Sequence, residues 1–191
     1  AISACEKGCQ WQAALALLGS TCRLRVQPDT ITCNAAVSAC AKGGQWQCST
    51  LLLASMELLR IQPNTISCNS AISACEKGAY WRGALALLGF MEGFRIKPDV
   101  ISCNAAISAC EKGAHWQGAL ALLGSMEGLR IKPDAISCSA AIGACEEGAH
   151  WQLALALLGS MYRLRVQPGP VGCGAAIRVC EKGGQWQVAL A

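Results

Sequence analysis

The sequence predicts an all-α fold, an α-solenoid of 35-residue helix-turn-helix repeats, and three observations predict it. Trp11, Trp46, Trp81, Trp116, Trp151 and Trp186 stand 35 residues apart. Pro28, Pro63, Pro98, Pro133 and Pro168 keep the same interval. So do two cysteine ladders, one through Cys5, Cys40, Cys75, Cys110, Cys145 and Cys180, the other through Cys33, Cys68, Cys103, Cys138 and Cys173. A constant period with no insertion marks a stacked array rather than a globular core.

Setting the boundary after the Pro-Asp pair gives four full repeats, 30–64, 65–99, 100–134 and 135–169. Partial repeats, 1–29 and 170–191, flank them, and the whole reads as one helical-repeat array over 1–191. The first and last residues fall inside a repeat, so the chain reads as a piece of a longer array. No signal or transit segment is visible in it.

Within repeat 65–99, Cys68, Ala71, Ile72 and Cys75 fall at i, i+3, i+4 and i+7, which predicts a helix over 66–77. Thr65 or Ser67 is placed to cap its start. Lys77 suits the negative end of the helix dipole, and Gly78 is placed to stop the helix. Trp81, Ala84, Leu85, Leu88 and Met91 predict a second helix over 80–92, and Ala86 and Leu87 make its other side apolar as well. A helix apolar nearly all round must lie between neighbours. Pro98 closes the loop that follows. No strand period is present.

Composition removes several classes of function. Hydrophobic residues make up 53% and charged residues 15%, the reverse of a disordered chain. No uncharged run exceeds 15 residues, as in 8–22, and that run contains Gln10, Gln12, Gly19, Ser20 and Thr21. A spanning helix needs about 18 apolar residues, so the expectation is a chain with no membrane partner. The net charge of +4 permits an anionic partner without demanding one.

Eleven of the 14 cysteines belong to the ladders, with Cys9, Cys22 and Cys48 extra. Cys68 and Cys75 lie roughly 10 Å apart along one helix, too far to bridge, and read as small buried apolar side chains. There is no C-x-x-C pair, and Cys5 with Cys9 finds no third ligand, so neither a metal nor another cofactor is expected. His115 and His150, each before a Trp, read as exposed turn residues, and the tryptophans read as core. No catalytic constellation stands out, and the chain is not expected to be an enzyme.

The repeat resembles the pentatricopeptide repeat. The resemblance is carried by the 35-residue period, the Thr-Ile-Ser-Cys-Asn start, the middle Lys-Gly, the Ala-Leu-Ala-Leu-Leu run, the following Met and the closing Ile-Lys-Pro-Asp. The tetratricopeptide family is the near rival, with a period of 34 and its usual Trp early in the first helix, whereas Trp81 opens the second. The resemblance covers the whole chain. It implies a right-handed α-solenoid that binds single-stranded RNA at about one base per repeat. The setting it implies is RNA processing in chloroplasts or mitochondria.

The resemblance implies base-reading residues at two places in each repeat. One is the Asn after the Cys (Asn34, Asn69 and Asn104, with Ser139 in its place in repeat 135–169). The other is the closing residue (Asn64, Asp99 and Asp134). It implies base clamps at Ile31, Ile66, Ile101 and Ile136. Asn with Asp favours uridine and Asn with Asn a pyrimidine, more often cytidine. With the chain parallel to the RNA, the implied core is 5′-(C/U)-U-U.

Residue spacing agrees with this division. Ile66, Asn69, Ser73 and Glu76 fall at i, i+3, i+7 and i+10, a second face apart from the Cys68 stripe. An amide both donates to and accepts from a base edge, and repeated helices that present such groups form a code. Lys42, Lys77, Lys112 and Lys182 stand at the edge of that face, spaced for phosphates. Structural roles stand beside these. Asp99 and Asp134 precede helices and suit caps, and the lysines also answer helix C-termini. Asn69 is mid-helix, where Asn is a poor choice by propensity.

Departures fall mostly in the last repeats. Repeat 135–169 has Ser139 for Asn, Gly169 at its close and Glu147 where a lysine stands elsewhere. Gly172 and Gly174 weaken the first helix of the next repeat by about 1 kcal/mol each. Ser49 and Thr50 replace Ala-Leu in repeat 30–64, which predicts poorer packing there. Two functions remain open: an RNA-binding array, and a protein-interaction scaffold with further repeats or other proteins at its ends. A protein-binding face would vary between repeats and carry aromatic anchors. The uniform Ile, Asn, Ser and Glu face suits a polymer with a repeating backbone.

Overall fold

The computed structural model describes residues 1–24, 26–185 and 187. Trp186 of the tryptophan ladder and the side chain of Cys22 lie outside the described residues. The chain forms two compact units, Ala1–Lys97 and Pro98–Ala191. The first holds α1 (Ile2–Lys7), α2 (Trp11–Arg23), α3 (Thr30–Lys42), α4 (Trp46–Leu58), α5 (Thr65–Lys77) and α6 (Trp81–Gly93). The second holds α7 (Val100–Lys112), α8 (Trp116–Gly128), α9 (Ala135–Ala144), α10 (Trp151–Arg163) and α11 (Pro170–Lys182). Among the described residues there is no strand, and no helix is long and apolar enough to cross a membrane. The all-α fold and the helix-turn-helix repeat of the sequence reading are therefore what the chain forms.

In each unit the odd-numbered helices pack on one another, α1 on α3 and α3 on α5, then α7 on α9 and α9 on α11. Within the units, α2, α4, α8 and α10 each pack on the odd helices before and after them, as α4 does on α3 and α5. The buried stripe between them consists of small side chains and one large one per helix: Cys68, Ala71, Ile72 and Cys75 on α5 are all fully buried, with Met91 of α6. Nine ladder cysteines are buried, and burial pushes the thiols of Cys40, Cys68, Cys75, Cys103 and Cys110 up to about 11. Cys173 departs from its ladder. It is exposed, on a helix packed only on α9 and α10 among the described residues.

Three local expectations are corrected. The cap of α5 is Asn64, not Thr65, which is the first helical residue. The Asn64 side chain accepts from Ser67 N at 3.1 Å, and Ser67 Oγ accepts from Asn64 N at 2.8 Å, a reciprocal capping box. Gly78 ends α5, but with φ −85°; the left-handed residue is Ala79, at φ 51°. Gly78 is small for another reason. A Cβ there would lie 2.4 Å from Trp46 Cδ1, so the glycine seats the indole of the preceding repeat. Gly43 seats Trp11 and Gly183 seats Trp151 in the same way.

His150 is the third correction. It is half-buried and its ring packs on Trp116 at 4.5 Å, as Tyr80 stacks on Trp46 at 4.2 Å. His115 is half-buried too. In these two repeats the residue before the Trp covers the Trp of the repeat before. α9 is also short, 10 residues against 13 for its counterparts. Gly143 lies in its last turn, and Glu146 and Glu147 place carboxylates where the dipole favours a cation. Ser49, expected to pack poorly, is fully buried, with its hydroxyl donating to Val37 O at 3.3 Å.

Candidate nucleic-acid interface

The residues that close the repeats sit at the N-termini of the odd helices, where the backbone presents unpaired amides. Asp29, Asn64, Asp99 and Asp134 are the caps of α3, α5, α7 and α9. Asp29 accepts from Thr32 N at 2.8 Å and Asp99 from Ser102 N at 2.9 Å. Asp134 accepts from Ile136 N and Ser137 N, both at 2.9 Å. Burial works to raise the Asp134 carboxyl, but hydrogen bonds from Ser137, Asn104 and Ile136 outweigh it and hold the group below the usual Asp value. The carboxylate therefore stays ionised at neutral pH.

Two of these caps meet the Asn of the repeat they close. Asn34 Nδ2 donates to Asn64 Oδ1 at 3.2 Å. Asn104 Nδ2 donates to both carboxylate oxygens of Asp134 at 3.1 Å, and Ser137 Oγ donates to Asn104 Oδ1. The two reading positions that the resemblance implies, 30 residues apart, are thus neighbours in space. Asn34 Oδ1 is buried and has no hydrogen-bond partner.

Beside these pairs the isoleucines stand out from the surface: Ile31 is 72% exposed, Ile66 64%, Ile101 61% and Ile136 62%. Such exposure is unusual for isoleucine in a folded chain. In the first unit, Ile31 and Ile66 wall a slot of about 260 Å³, floored by Asn34, Ser38 and Ser70. In the second, Ile136 and Val171 wall a slot of about 280 Å³ with Ser139 and Arg178. Both fall below the roughly 300–1,000 Å³ typical of drug-sized ligands.

Ser139 differs from the asparagines it replaces. It is 8% exposed, and a Cβ on Gly172 would lie 2.9 Å from its hydroxyl. Asn34, Asn69 and Asn104 are only half-buried. Gly169 caps α11 without a side chain. The 135–169 repeat therefore keeps the walls of a slot with no pair of reading side chains between them.

The lysines at the ends of the odd helices are engaged within the protein. Lys42 pairs with Glu6 at 3.0 Å, and Ser38 Oγ donates to the same oxygen at 2.9 Å. Lys182 pairs with Glu146 at 3.2 Å and Glu147 at 3.0 Å, and Arg178 Nε meets Glu146 at 3.1 Å. Lys77 Nζ donates to Ala41 O at 3.0 Å, at the place where repeat 30–64 has Ala instead of Glu. Lys112 also has a partner within the protein. This Glu–Lys ladder was not read from the sequence. Its signal was there, as a Glu and a Lys 36 residues apart along the same ladder positions.

The sequence matches the family described as pentatricopeptide repeat domain over residues 17–77 and 87–148. No curated protein sequence matches it. Its fold is similar to the crystal structure of the pentatricopeptide repeat protein PPR10 from maize, with TM-score 0.78, 22% identity and 99% of this chain covered. The chain spans only 27% of that structure. It is similar to PPR10 in complex with an 18-nt psaJ RNA element, with TM-score 0.77, 19% identity and 99% of this chain against 28% of that one. It is also similar to the PPR domain of Arabidopsis thaliana protein-only RNase P 1 in complex with tRNA, with TM-score 0.77, 15% identity and 98% of this chain against 95% of that one. At these identities the likeness is one of fold. With the family match covering more than half of its residues, the chain belongs to the pentatricopeptide repeat family.

Proposed function

We propose that the chain binds single-stranded RNA, one base per repeat, between the exposed isoleucines of successive odd helices. The observation that carries this is the pairing of Asn34 with Asn64 and of Asn104 with Asp134 at the feet of those isoleucines. Aliphatic side chains that stand in water gain by covering a base face, and the amide and carboxylate beside them meet its edge. The RNA-bound states of PPR10 and of the RNase P domain, proteins of like fold, support the same reading. Organellar RNA processing is the setting that family membership supports.

The reading pairs are Asn34 with Asn64, Asn69 with Asp99 and Asn104 with Asp134; the clamps are Ile31, Ile66, Ile101 and Ile136. Ionised Asp134 only accepts hydrogen bonds and can take the N3–H of uracil, the base that the family's pattern assigns to an Asn–Asp pair. Asn64 both donates and accepts, so its pair with Asn34 admits either pyrimidine. By the family's pattern these pairs give the core 5′-(C/U)-U-U. Ser139 closes the set without a reading partner. Lys42, Lys77 and Lys112 meet phosphates by exchanging their present partners for them.

Fluorescence anisotropy with short single-stranded RNAs tests the proposal. Tandem C/U-U-U oligomers bind more tightly than A-rich, G-rich or DNA oligomers of equal length. Equal binding of all of them, erased by modest salt, is the signature of charge alone and overturns it.

A further inference from the structure

We propose that the groove between α8 and α10 docks an acidic amphipathic helix of a partner protein. Both helices pack on α9, but they do not pack backbone to backbone on each other. The space between them is a cavity of about 510 Å³, on a different set of residues from the isoleucine slots. Leu120, Leu123, Leu157 and Leu164 make it apolar, and Arg130 and Lys132 stand at its rim.

Gly124 lies in the middle of α8 and lines the groove. Glycine is a poor helix former, and the same open glycine recurs as Gly19 in α2, Gly89 in α6 and Gly159 in α10. A Cβ built on Gly124 meets no atom within 4 Å, and the same holds for Gly128 one turn on. Nothing in this chain occupies that space, and a bare backbone there lets another backbone come close.

Charge selects the occupant. Arg130 and Lys132 are exposed, and Arg163 and Arg165 are exposed at the end of α10 and in the loop after it. Glu127 is the one carboxylate among the lining residues. A second copy would bring an equally basic rim, and the leucine floor gives a nucleic acid nothing to hydrogen-bond. A helix with leucines at i, i+3, i+4 and i+7 and carboxylates beside them satisfies both floor and rim. The same ten residue types recur in the sequence 35 residues earlier. Seventy residues earlier they do not: Thr50, Ala54 and Gln62 replace Leu120, Gly124 and Lys132, and Phe94, packed on Phe90 at 4.3 Å, replaces Leu164.

The test titrates two labelled synthetic peptides of about 18 residues, with the same leucine stripe and either Glu or Lys on its flanks, into the full chain. The Glu peptide is expected to bind, with the Lys peptide at least about tenfold weaker. Arg130→Glu with Lys132→Glu, and separately Gly124→Leu, each weaken the Glu peptide by about tenfold, with helix content and RNA-oligomer affinity unchanged. Absence of saturable binding, equal binding of both peptides, or indifference to the substitutions overturns the proposal. So does loss of RNA affinity in the charge-reversed variant with peptide binding intact, which would assign the rim to RNA.

Discussion

Asn104 and Asp134, 30 residues apart, are joined by two hydrogen bonds of 3.1 Å, so that a helix cap and a mid-repeat amide form one polar unit. The same carboxylate that ends a run of unpaired backbone amides holds Asn104 beside an exposed isoleucine. Capping and the proposed base reading therefore fall on one group.

That double use has a pH signature. The Asp134 carboxyl lies below its usual value of 3.8. Its contribution to stability is thus complete above 3.8 and is lost as pH falls through the lower folded value. Denaturant unfolding of the wild type and of Asp134→Asn, which caps about as well but does not titrate, should show a stability difference largest above 3.8 that declines below it. A difference independent of pH would show that the carboxylate is not held in its ionised form.

Gly78 and Ala79 make opposite predictions. Gly78→Ala drives a methyl against Trp46 and should cost about 1–3 kcal/mol. That cost should shrink when Trp46 is also replaced by Ala. Ala79→Gly relieves a left-handed alanine and should stabilise by up to about 1 kcal/mol. Thermal unfolding of the four variants checks both. Equal effects at the two positions would contradict the assignment of indole packing to one and backbone conformation to the other.

These two residues also show how far the sequence could be read. The helix stripe of Cys68, Ala71, Ile72 and Cys75 is local, and it placed α5 within a residue of its true start. The cap was missed by one position because Asn64, Thr65 and Ser67 all carry side-chain oxygens, and only the extended backbone at Asn64 distinguishes the cap. Gly78 was assigned a conformational role because the indole it faces lies 32 residues earlier, where local pattern carries no signal. His150 on Trp116 and Glu6 on Lys42 were missed for the same reason. The partners sit one repeat apart, and spacing alone does not say which side chains of adjacent repeats face each other.

The ladder makes a prediction about salt. Lys77→Ala should weaken all RNAs alike and reduce the salt slope of binding by about 0.7, one single-strand phosphate. Glu6→Gln frees Lys42 from its ion pair and should raise the slope by a similar amount. Anisotropy titrations across salt concentrations measure both. Slopes unchanged by either substitution would place the phosphates elsewhere.

Thiol chemistry should follow burial. Cys9 and Cys173 are exposed, whereas Cys68, Cys75, Cys103 and Cys110 are buried, with thiols pushed up to about 11. Brief alkylation of the native protein should label the exposed pair well before the buried group. Mass spectrometry of the peptides reads the order. Early labelling of Cys68 or Cys75 would show that the stripe between the odd helices opens readily.

The central claim, that Asp134 and its partner Asn104 read a base, is tested most directly by exchanging the carboxylate for an amide. Wild type and Asp134→Asn would each be titrated with two RNA oligomers that differ only by U or C at the position assigned to repeat 100–134. The account predicts a crossover. The wild type prefers U and the variant prefers C, each by about 1–3 kcal/mol, the usual cost of one mismatched contact, with helix content unchanged. The same preference in both proteins, or none in either, would contradict it.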